Sequence, residues 1–356
     1  MTWNDLRATR AARPGFARDS GNRASIYGAA LEQAEQLFSA AERVGVATSP
    51  ILLFYGTAQL GRAIVAASPE IPNAQARVAG HGATPRGLDE RPVSLARMSV
   101  MGDGDARSSL GSLARVLGCC DLSRGRRLDD LIARIPIGQT FLRSDTLPED
   151  TLHPFLLDDP GAVGAGAIPW MTQGPAMVRF VVHPVPRNLA PQGVSTPLDQ
   201  PLVGTSKVTA REALTGLLDQ YPGLSGWRFN MNTAATVPIV RHQPGGLALA
   251  LELPLHEGEH NLDMPTRIAQ RFNGGLFVHP DVDGCGTPDH PLALWWAVLL
   301  VLSSLARYHP DAWVKLLDID RHDEASAVEQ LLAAAVVEVP SLALDVLRSA
   351  RMNIDD

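Results

Sequence analysis

The longest uninterrupted apolar stretch of the chain lies near its C-terminal end. From Leu292 to Ala306 no side chain is charged, and Arg307, Tyr308 and His309 follow directly. A helix needs about 20 apolar residues to cross a bilayer, so this run is short for a membrane span. The pattern therefore predicts a buried core helix that ends in a dense polar segment.

Two further apolar patterns with helical spacing lie near the other end of the chain. Between Ala24 and Val44, apolar residues recur on one side and Glu and Gln occupy the other, which predicts an amphipathic helix. The run from Ile51 to Ala67 is apolar nearly all round, and Ser49-Pro50 before it is a typical helix start. We expect the second helix to be the more buried one and to pack against the first.

Shorter elements follow these two helices. Residues 93–101 (VSLARMSVM) alternate in polarity in a way that is compatible with a strand. Residues 111–118 (GSLARVLG) and 126–135 (RRLDDLIARI) have the pattern of short helices.

From about Pro148 the composition changes to one rich in proline and glycine. Four apolar runs of strand length follow, bounded by turn residues, and they predict a small, mainly antiparallel sheet. Two of these runs flank residues 243–246 (QPGG), which suit a hairpin connection. One amphipathic helix is predicted within 207–222, with Thr209 as its N-cap and Glu212 completing a capping box.

The order of these elements predicts an α+β protein. Helices from both chain ends are expected to pack together, with a small, mainly antiparallel sheet from the middle region. We divide the chain into a mobile or docked arm at 1–22, a helical region with a His-Gly loop at 23–148, a proline- and glycine-rich sheet region at 149–290, and a C-terminal helical region at 291–356 that packs on the N-terminal helices.

Composition places the chain among folded globular proteins. A hydrophobic fraction of 45% can supply a sizeable core, and a formal net charge of −7 does not support binding to nucleic acid. Three cysteines do not make a disulfide framework, which suits a reducing compartment. The Arg-rich N-terminus lacks the apolar segment of a secretory signal or a membrane anchor. We therefore predict a cytoplasmic protein that does not associate with a membrane.

One segment matches a metal-binding motif, because residues 256–260 read HEGEH. On a helix, two imidazoles four residues apart reach one zinc ion while the Glu acts as general base. Gly258 and the prolines at 254 and 265 disfavour a helix here, so we predict an acidic loop and no metal. The alternative is a zinc hydrolase. Its site residues are His256, Glu257 and His260, with a third ligand from His279, Asp281 or Asp283.

A second candidate is His81, which stands between Gly80 and Gly82. Glycine on both sides lets the backbone bend tightly and approach a ligand, so the imidazole is a candidate acid, base or anion contact. A structural hydrogen bond within a turn is the other interpretation. Three nearby arginines are candidates for an anion pocket and equally for ordinary surface positions: Arg86, Arg91 and Arg97.

The third candidate is the pair Arg307 and His309 at the end of the last apolar helix. An Arg and a His there can hold a phosphate, but they also complement the helix dipole and cap the last carbonyls. Helical HEPN ribonucleases place such a pair further apart. We favour the structural role, because a cation at a helix C-terminus complements the dipole and caps the carbonyls without any ligand. If His81, Arg307 and His309 meet in one cleft, a nuclease or other phosphoryl-processing enzyme is the alternative function.

The sequence carries no further signature of a catalytic or cofactor-binding site. The chain has no GxxxxGK[ST] phosphate loop, no CxxC pair and no G-x-S-x-G elbow. We therefore predict no cofactor.

The blocks described above resemble those of the YaaC-like family of bacterial proteins. They are YGAALEQAEQLFSAA, PILLFYGTAQLGRAIVAA, the His81-Gly82 loop, LSSLARYHPDAW and VPSLALDVL, and together they span most of residues 23–348. The resemblance implies an intracellular bacterial protein that is helical at both ends, and it implies no particular reaction. We expect a binding or interaction subunit with a protein partner or self-association. Phage defence is our hypothesis for the multi-protein system in which it acts.

Overall fold

The structure is a computed structural model that describes residues 2–18, 21–142, 147, 151–157, 177–183, 214–227, 239–242, 246–260, 263–281, 284–349 and 352. The chain divides into two compact units, and each is described by itself. The first unit joins Met1–Leu147 to Asp289–Asp356, and the second unit is Pro148–Pro288.

Helices and small antiparallel sheets make up the described residues, so the predicted α+β class is confirmed. The helices are α1 (Thr2–Ala11), α2 (Asn22–Ala41), α3 (Ser49–Ala67), α4 (Ser109–Leu117), α5 (Leu128–Ala133), α6 (Met264–Ile268), α7 (Pro291–Tyr308), α8 (Pro310–Leu316) and α9 (Ala325–Arg348). The strands are β1 (Ala83–Arg86), β2 (Ser99–Gly102), β3 (Arg126–Arg127), β4 (Phe155–Leu157), β5 (Met177–His183), β6 (Ile239–His242), β7 (Gly246–Pro254), β8 (Gln270–Phe272) and β9 (Gly275–Val278).

Helix α3 is the centre of the first unit, because it packs against α2, α7 and α9. Its sequence is apolar around most of its circumference, and most of its side chains are buried. The buried hydroxyl of Thr57 donates to the Leu53 carbonyl at 2.8 Å, so this polar side chain is satisfied within the helix. The predicted packing of helices from both chain ends is confirmed.

Helix α7 is the most buried of the three long apolar helices of the first unit. Every residue from Pro291 to Leu305 is buried, and only the last turn reaches the surface. The helix begins where the His290 ring nitrogen accepts the Leu292 N–H at 3.1 Å, with Pro291 in the first turn. The predicted core helix at Leu292–Ala306 is therefore confirmed.

Three helices of the first unit are nevertheless long and apolar enough to cross a membrane. They are α3, α7 and α9, whose most apolar windows are 72%, 89% and 61% buried within the fold. Length and composition therefore do not exclude a membrane span. This differs from the prediction above, which took the apolar run of α7 to be too short to cross a bilayer. In the structure these three helices pack against one another, and most of each apolar window is buried.

The N-terminal arm forms a helix that the sequence analysis did not predict. Helix α1 packs on α2 and α9 and buries Leu6 as its anchor. The Arg7 Nε donates to the Glu35 carboxylate at 2.8 Å, and the Trp3 ring lies 5.5 Å from the Phe38 ring. These contacts join α1 to the helices of the first unit.

A three-stranded antiparallel sheet with the order β1-β2-β3 lies beside these helices. The strand predicted at 93–101 was wrong in its first half, where Leu95–Arg97 form a short 3₁₀ turn before β2. Side-chain oxygens accept hydrogen bonds from the backbone N–H groups of this turn. The Ser94 hydroxyl accepts the Ala96 N–H at 3.2 Å, and the Glu324 carboxylate accepts the Leu95 N–H at 2.9 Å.

The second unit contains a six-stranded antiparallel sheet with the order β6-β7-β5-β4-β9-β8. The predicted hairpin of β6 and β7 is confirmed by the pairing of His242 with Gly246. A helical segment at 214–218 supplies Leu214 and Leu218 to the core beneath the sheet. The predicted capping box of Thr209 and Glu212 lies outside the described residues.

Candidate functional site

The loop of His81 is fixed against the start of α4. The His81 carbonyl accepts the Leu110 N–H at 3.1 Å, and Gly82 has a φ of +84°. A Cβ at Gly82 would lie 2.4 Å from the Ser108 hydroxyl oxygen and 2.8 Å from the Leu110 nitrogen. Glycine is therefore required here both for backbone conformation and for space.

The His81 imidazole packs on two aromatic side chains of α3. Its ring centroid lies 5.1 Å from the Phe54 ring and 6.3 Å from the Tyr55 ring, edge-on in both cases. Burial lowers the pKa of His81, and the positive charges of Arg307 and Arg62 lower it further. The side chain is therefore a neutral imidazole at pH 7.

The Arg307 guanidinium is held in place by three hydrogen bonds. Its Nε donates to the Ser303 carbonyl at 3.2 Å, an Nη donates to the Ser304 hydroxyl at 3.4 Å, and the other Nη donates to the Tyr55 hydroxyl at 2.8 Å. It also lies 5.5 Å from the Tyr55 ring centroid and 4.9 Å from that of Tyr308. The last turn of α7 thus fixes a cation beside two aromatic rings.

Tyr55 links the two residues that the sequence analysis selected, because it contacts both the His81 ring and the Arg307 guanidinium. We call Tyr55, His81, Arg307 and Tyr308 the aromatic–arginine patch. Tyr55 is 37% exposed and Tyr308 is 68% exposed, so the patch faces solvent. Tyr55 is not among the candidates predicted from the sequence, where its only signal is a polar hydroxyl on an otherwise apolar helix.

His309 has a backbone role at the corner between α7 and α8. Its N–H donates to the Leu305 carbonyl at 2.9 Å, and its carbonyl accepts the N–H groups of Ala312 and Trp313. Within the described part of the chain, its imidazole makes no hydrogen bond. The structure therefore brings His81 and Arg307 together through Tyr55 and shows no such link to His309.

The three arginines near the His81 loop are exposed. Arg91 donates to the carbonyls of Leu88 and Glu90, and Arg97 donates to the Arg91 carbonyl at 2.9 Å. These bonds tie together the loop between β1 and β2. They give Arg91 and Arg97 an ordinary structural role at the surface, and Arg86 is an exposed residue of β1.

The HEGEH segment forms a turn after β7, as predicted. Gly258 has a φ of +79°, so no helix places His256 and His260 on one face. The Glu259 carboxylate accepts the His256 N–H at 2.8 Å and the Arg267 Nε at 2.7 Å. The hydrogen bond from Arg267 is the main reason that the pKa of Glu259 is lowered. The second carboxylate of the segment therefore closes a turn.

The two described candidates for a third zinc ligand do not share one environment with His256. His279 is fully buried at 1% exposure, whereas His256 is exposed. Asp281 accepts the Gly286 N–H at 2.5 Å, and Asp283 lies outside the described residues.

We predict that His256→Ala leaves the melting temperature within about 1 °C of the wild type, because an exposed side chain away from any buried network contributes little to stability. Protein purified without chelator should contain well under one zinc per chain by elemental analysis. Stoichiometric zinc that disappears in the His256→Ala variant would instead establish the zinc hydrolase alternative.

The fold and the patch describe an α+β protein with a fixed cation between aromatic rings at its surface. The sequence model of the YaaC-like protein family matches residues 7–160 and 199–347, and the chain therefore belongs to that family. No curated protein and no solved structure matches the chain. The matched ranges contain every residue of the aromatic–arginine patch, and the match specifies a family without specifying a reaction.

Proposed function

We propose that this protein is a binding subunit that recognises a protein partner through the aromatic–arginine patch. The observation that carries the proposal is the fixed position of Arg307, whose guanidinium is bonded to Tyr55 and lies over the Tyr308 ring. Tyrosine and arginine dominate the binding energy of protein interfaces, and a side chain that is already ordered loses little entropy on binding.

The charge of the patch indicates the chemistry of the partner. All three hydrogen bonds of Arg307 go to neutral oxygens, and among the described residues no carboxylate pairs with it. A guanidinium has five N–H donors in a fork that matches a carboxylate, so donors remain for a partner. We propose that the partner presents an acidic side chain to Arg307 and an apolar surface to Tyr308.

The enzyme alternative, a nuclease or other phosphoryl-processing activity, rests on His81. A neutral imidazole beside an arginine is suited to act as a general base. A catalytic His is normally oriented by a hydrogen bond to a second group, however, and the His81 ring makes none within the described residues. The lack of an orienting hydrogen bond to His81 among the described residues favours the binding subunit over the enzyme.

The proposed setting is the bacterial cytoplasm, in a multi-protein system such as phage defence. The support for the cytoplasm is physical, because the three helices with the composition of membrane spans pack against one another in the first unit. A second copy of the chain is the other partner that the proposal allows.

The test is capture of partners by the tagged protein, followed by mass spectrometry. We expect Tyr308→Ala and Arg307→Lys each to weaken partner binding by about 30-fold or more, which is the effect of losing an interface hot spot. Lysine keeps the positive charge of Arg307 but lacks its forked arrangement of N–H donors. The Arg307→Lys variant therefore tests the geometry of the interaction and not its charge. Binding should also weaken with added salt, because the pairing is electrostatic.

A matched control is Val337→Ala on α9. Val337 is 65% exposed, close to the 68% of Tyr308, and lies outside the patch. Val337→Ala should keep the same partner at the same strength. If all three variants capture the same partners as the wild type, the patch is not the interface. If His81→Gln captures the same partners but loses a phosphoryl-processing activity, the result would support the enzyme alternative instead.

A further inference from the structure

A separate cavity of the first unit lies between α2, α3 and the segment 76–78. Its volume is about 280 Å³, just below the range of about 300 to 1,000 Å³ for small-molecule sites. Helices α2 and α3 and the segment after them supply its walls, which include Ile26, Ala30, Gln33, Gln59, Arg62 and Arg77. None of these residues belongs to the aromatic–arginine patch.

The two arginines of the cavity carry charge that the described residues do not neutralise. Neither Arg62 nor Arg77 makes a hydrogen bond or an ion pair in the part of the chain that the structure describes. The acidic side chains of the neighbouring helix α2 are already engaged, because Glu32 pairs with Arg10 and Glu35 pairs with Arg7. The cavity is therefore electropositive.

The remaining wall of the cavity combines amides with an apolar surface. The Gln59 Nε2 donates to the Gln33 Oε1 at 2.5 Å and so fixes both side chains. The other amide groups of this pair remain as donor and acceptor for a ligand hydroxyl. Ile26 and Ala30 add apolar surface beside them. Fixed polar groups on an apolar wall are typical of small-molecule sites.

We infer that this cavity binds a phosphate monoester of a small hydroxylated molecule of sugar size. A single guanidinium is enough to bind a carboxylate in a bidentate manner. Two guanidinia that line one cavity instead match a phosphate monoester, which carries two negative charges and three free oxygens. The Gln33–Gln59 pair then binds the hydroxyl groups. The volume matches a phosphorylated sugar more closely than a dinucleotide. The inference is independent of the proposed partner surface.

The test is calorimetric titration of the full chain with glucose 6-phosphate, with glucose, inorganic phosphate and succinate as separate probes. We expect glucose 6-phosphate to bind, glucose to give no signal, and inorganic phosphate and succinate to bind at least about tenfold more weakly, because each lacks part of the recognised chemistry. Arg62→Gln and Arg77→Gln should each weaken binding of glucose 6-phosphate by about tenfold or more, the effect of losing a charge-assisted hydrogen bond.

The matched control is Arg43→Gln, because Arg43 is an exposed arginine just after α2 that does not line this cavity. It changes the net charge by the same amount and should leave the affinity unchanged. Equal weakening in all three variants would indicate general electrostatic attraction and overturn the assignment of the site, as would the absence of binding by glucose 6-phosphate. Tyr308→Ala should retain full ligand affinity, so this outcome is separable from failure of the proposed interface.

Discussion

Leu299→Asp is expected to abolish the soluble folded protein. Leu299 is completely buried in α7, which packs against α3 and α9 in the core of the first unit. An unpaired carboxylate at such a position costs on the order of 5 kcal/mol or more, which is comparable to the whole stability of many domains. The measurement is the soluble fraction after expression, together with the melting temperature of any soluble protein.

The control is the same type of change at an exposed helical position. Val337 lies on α9 with 65% exposure, so Val337→Asp introduces a carboxylate that stays hydrated. This variant should remain soluble and melt within a few degrees of the wild type. A soluble Leu299→Asp protein with an unchanged melting temperature would refute the assignment of α7 to the core.

The long helices are predictable because their apolar residues repeat over many turns. The predicted runs Ala24–Val44 and Ile51–Ala67 correspond to α2 (Asn22–Ala41) and α3 (Ser49–Ala67), with the end at Ala67 correct and the other three ends wrong by two or three residues. Helix α1 was not predicted, because it buries only Leu6 among its apolar residues and is docked by pairs such as Arg7 with Glu35. For a segment with so weak a helical pattern, tertiary contacts determine whether it forms a helix.

The candidate site was predictable only in part. Glycine on both sides of His81 indicated a tight loop, and the helix end at Arg307 was visible in the sequence. The residue that joins them, Tyr55, is 252 positions away from Arg307 in the chain. A contact of that separation has no signal in local periodicity or motif spacing. The electrostatic effect of Arg62 on His81 depends equally on the packing of distant segments.

The HEGEH segment shows why a motif requires its structural context. The spacing of His256 and His260 fits zinc only if the backbone between them is helical. Gly258 and the prolines on either side of the segment already argued against a helix in the sequence, and the backbone forms a turn. The role of Glu259 in closing that turn with Arg267 could not be predicted, because it requires the position of α6.

The second unit contains a buried histidine, His279, from which we predict that the stability of the protein is sensitive to acid. His279 follows β9, is 1% exposed, and neither of its ring nitrogens forms a hydrogen bond within the described residues. Burial lowers the pKa of His279 from 6.5 to about 3. Above pH 6.5 the imidazole is neutral in both the folded and the unfolded state. Between pH 6.5 and about 3, the unfolded state takes up a proton that the folded state does not.

The free energy of unfolding should therefore fall as the pH falls through this window, by about 1.4 kcal/mol per pH unit. We predict that His279→Leu removes this contribution. The variant should be as stable as the wild type or more stable at pH 7.5, because an unbonded buried imidazole is replaced by an apolar side chain. Its advantage should grow by about 2 kcal/mol between pH 6.5 and pH 5, as measured by urea unfolding at each pH.

A histidine of the same unit provides the comparison, because His256 is exposed and His279 is not. His256→Leu should keep the acid sensitivity of the wild type, since this substitution leaves the buried His279 in place. Restricting the measurement to pH 5 and above separates the effect of His279 from the protonation of carboxylates, which occurs mainly below that pH. Parallel pH profiles for His279→Leu and the wild type would show that His279 is protonated in the folded protein, and that its side chain has a bonding partner or access to solvent.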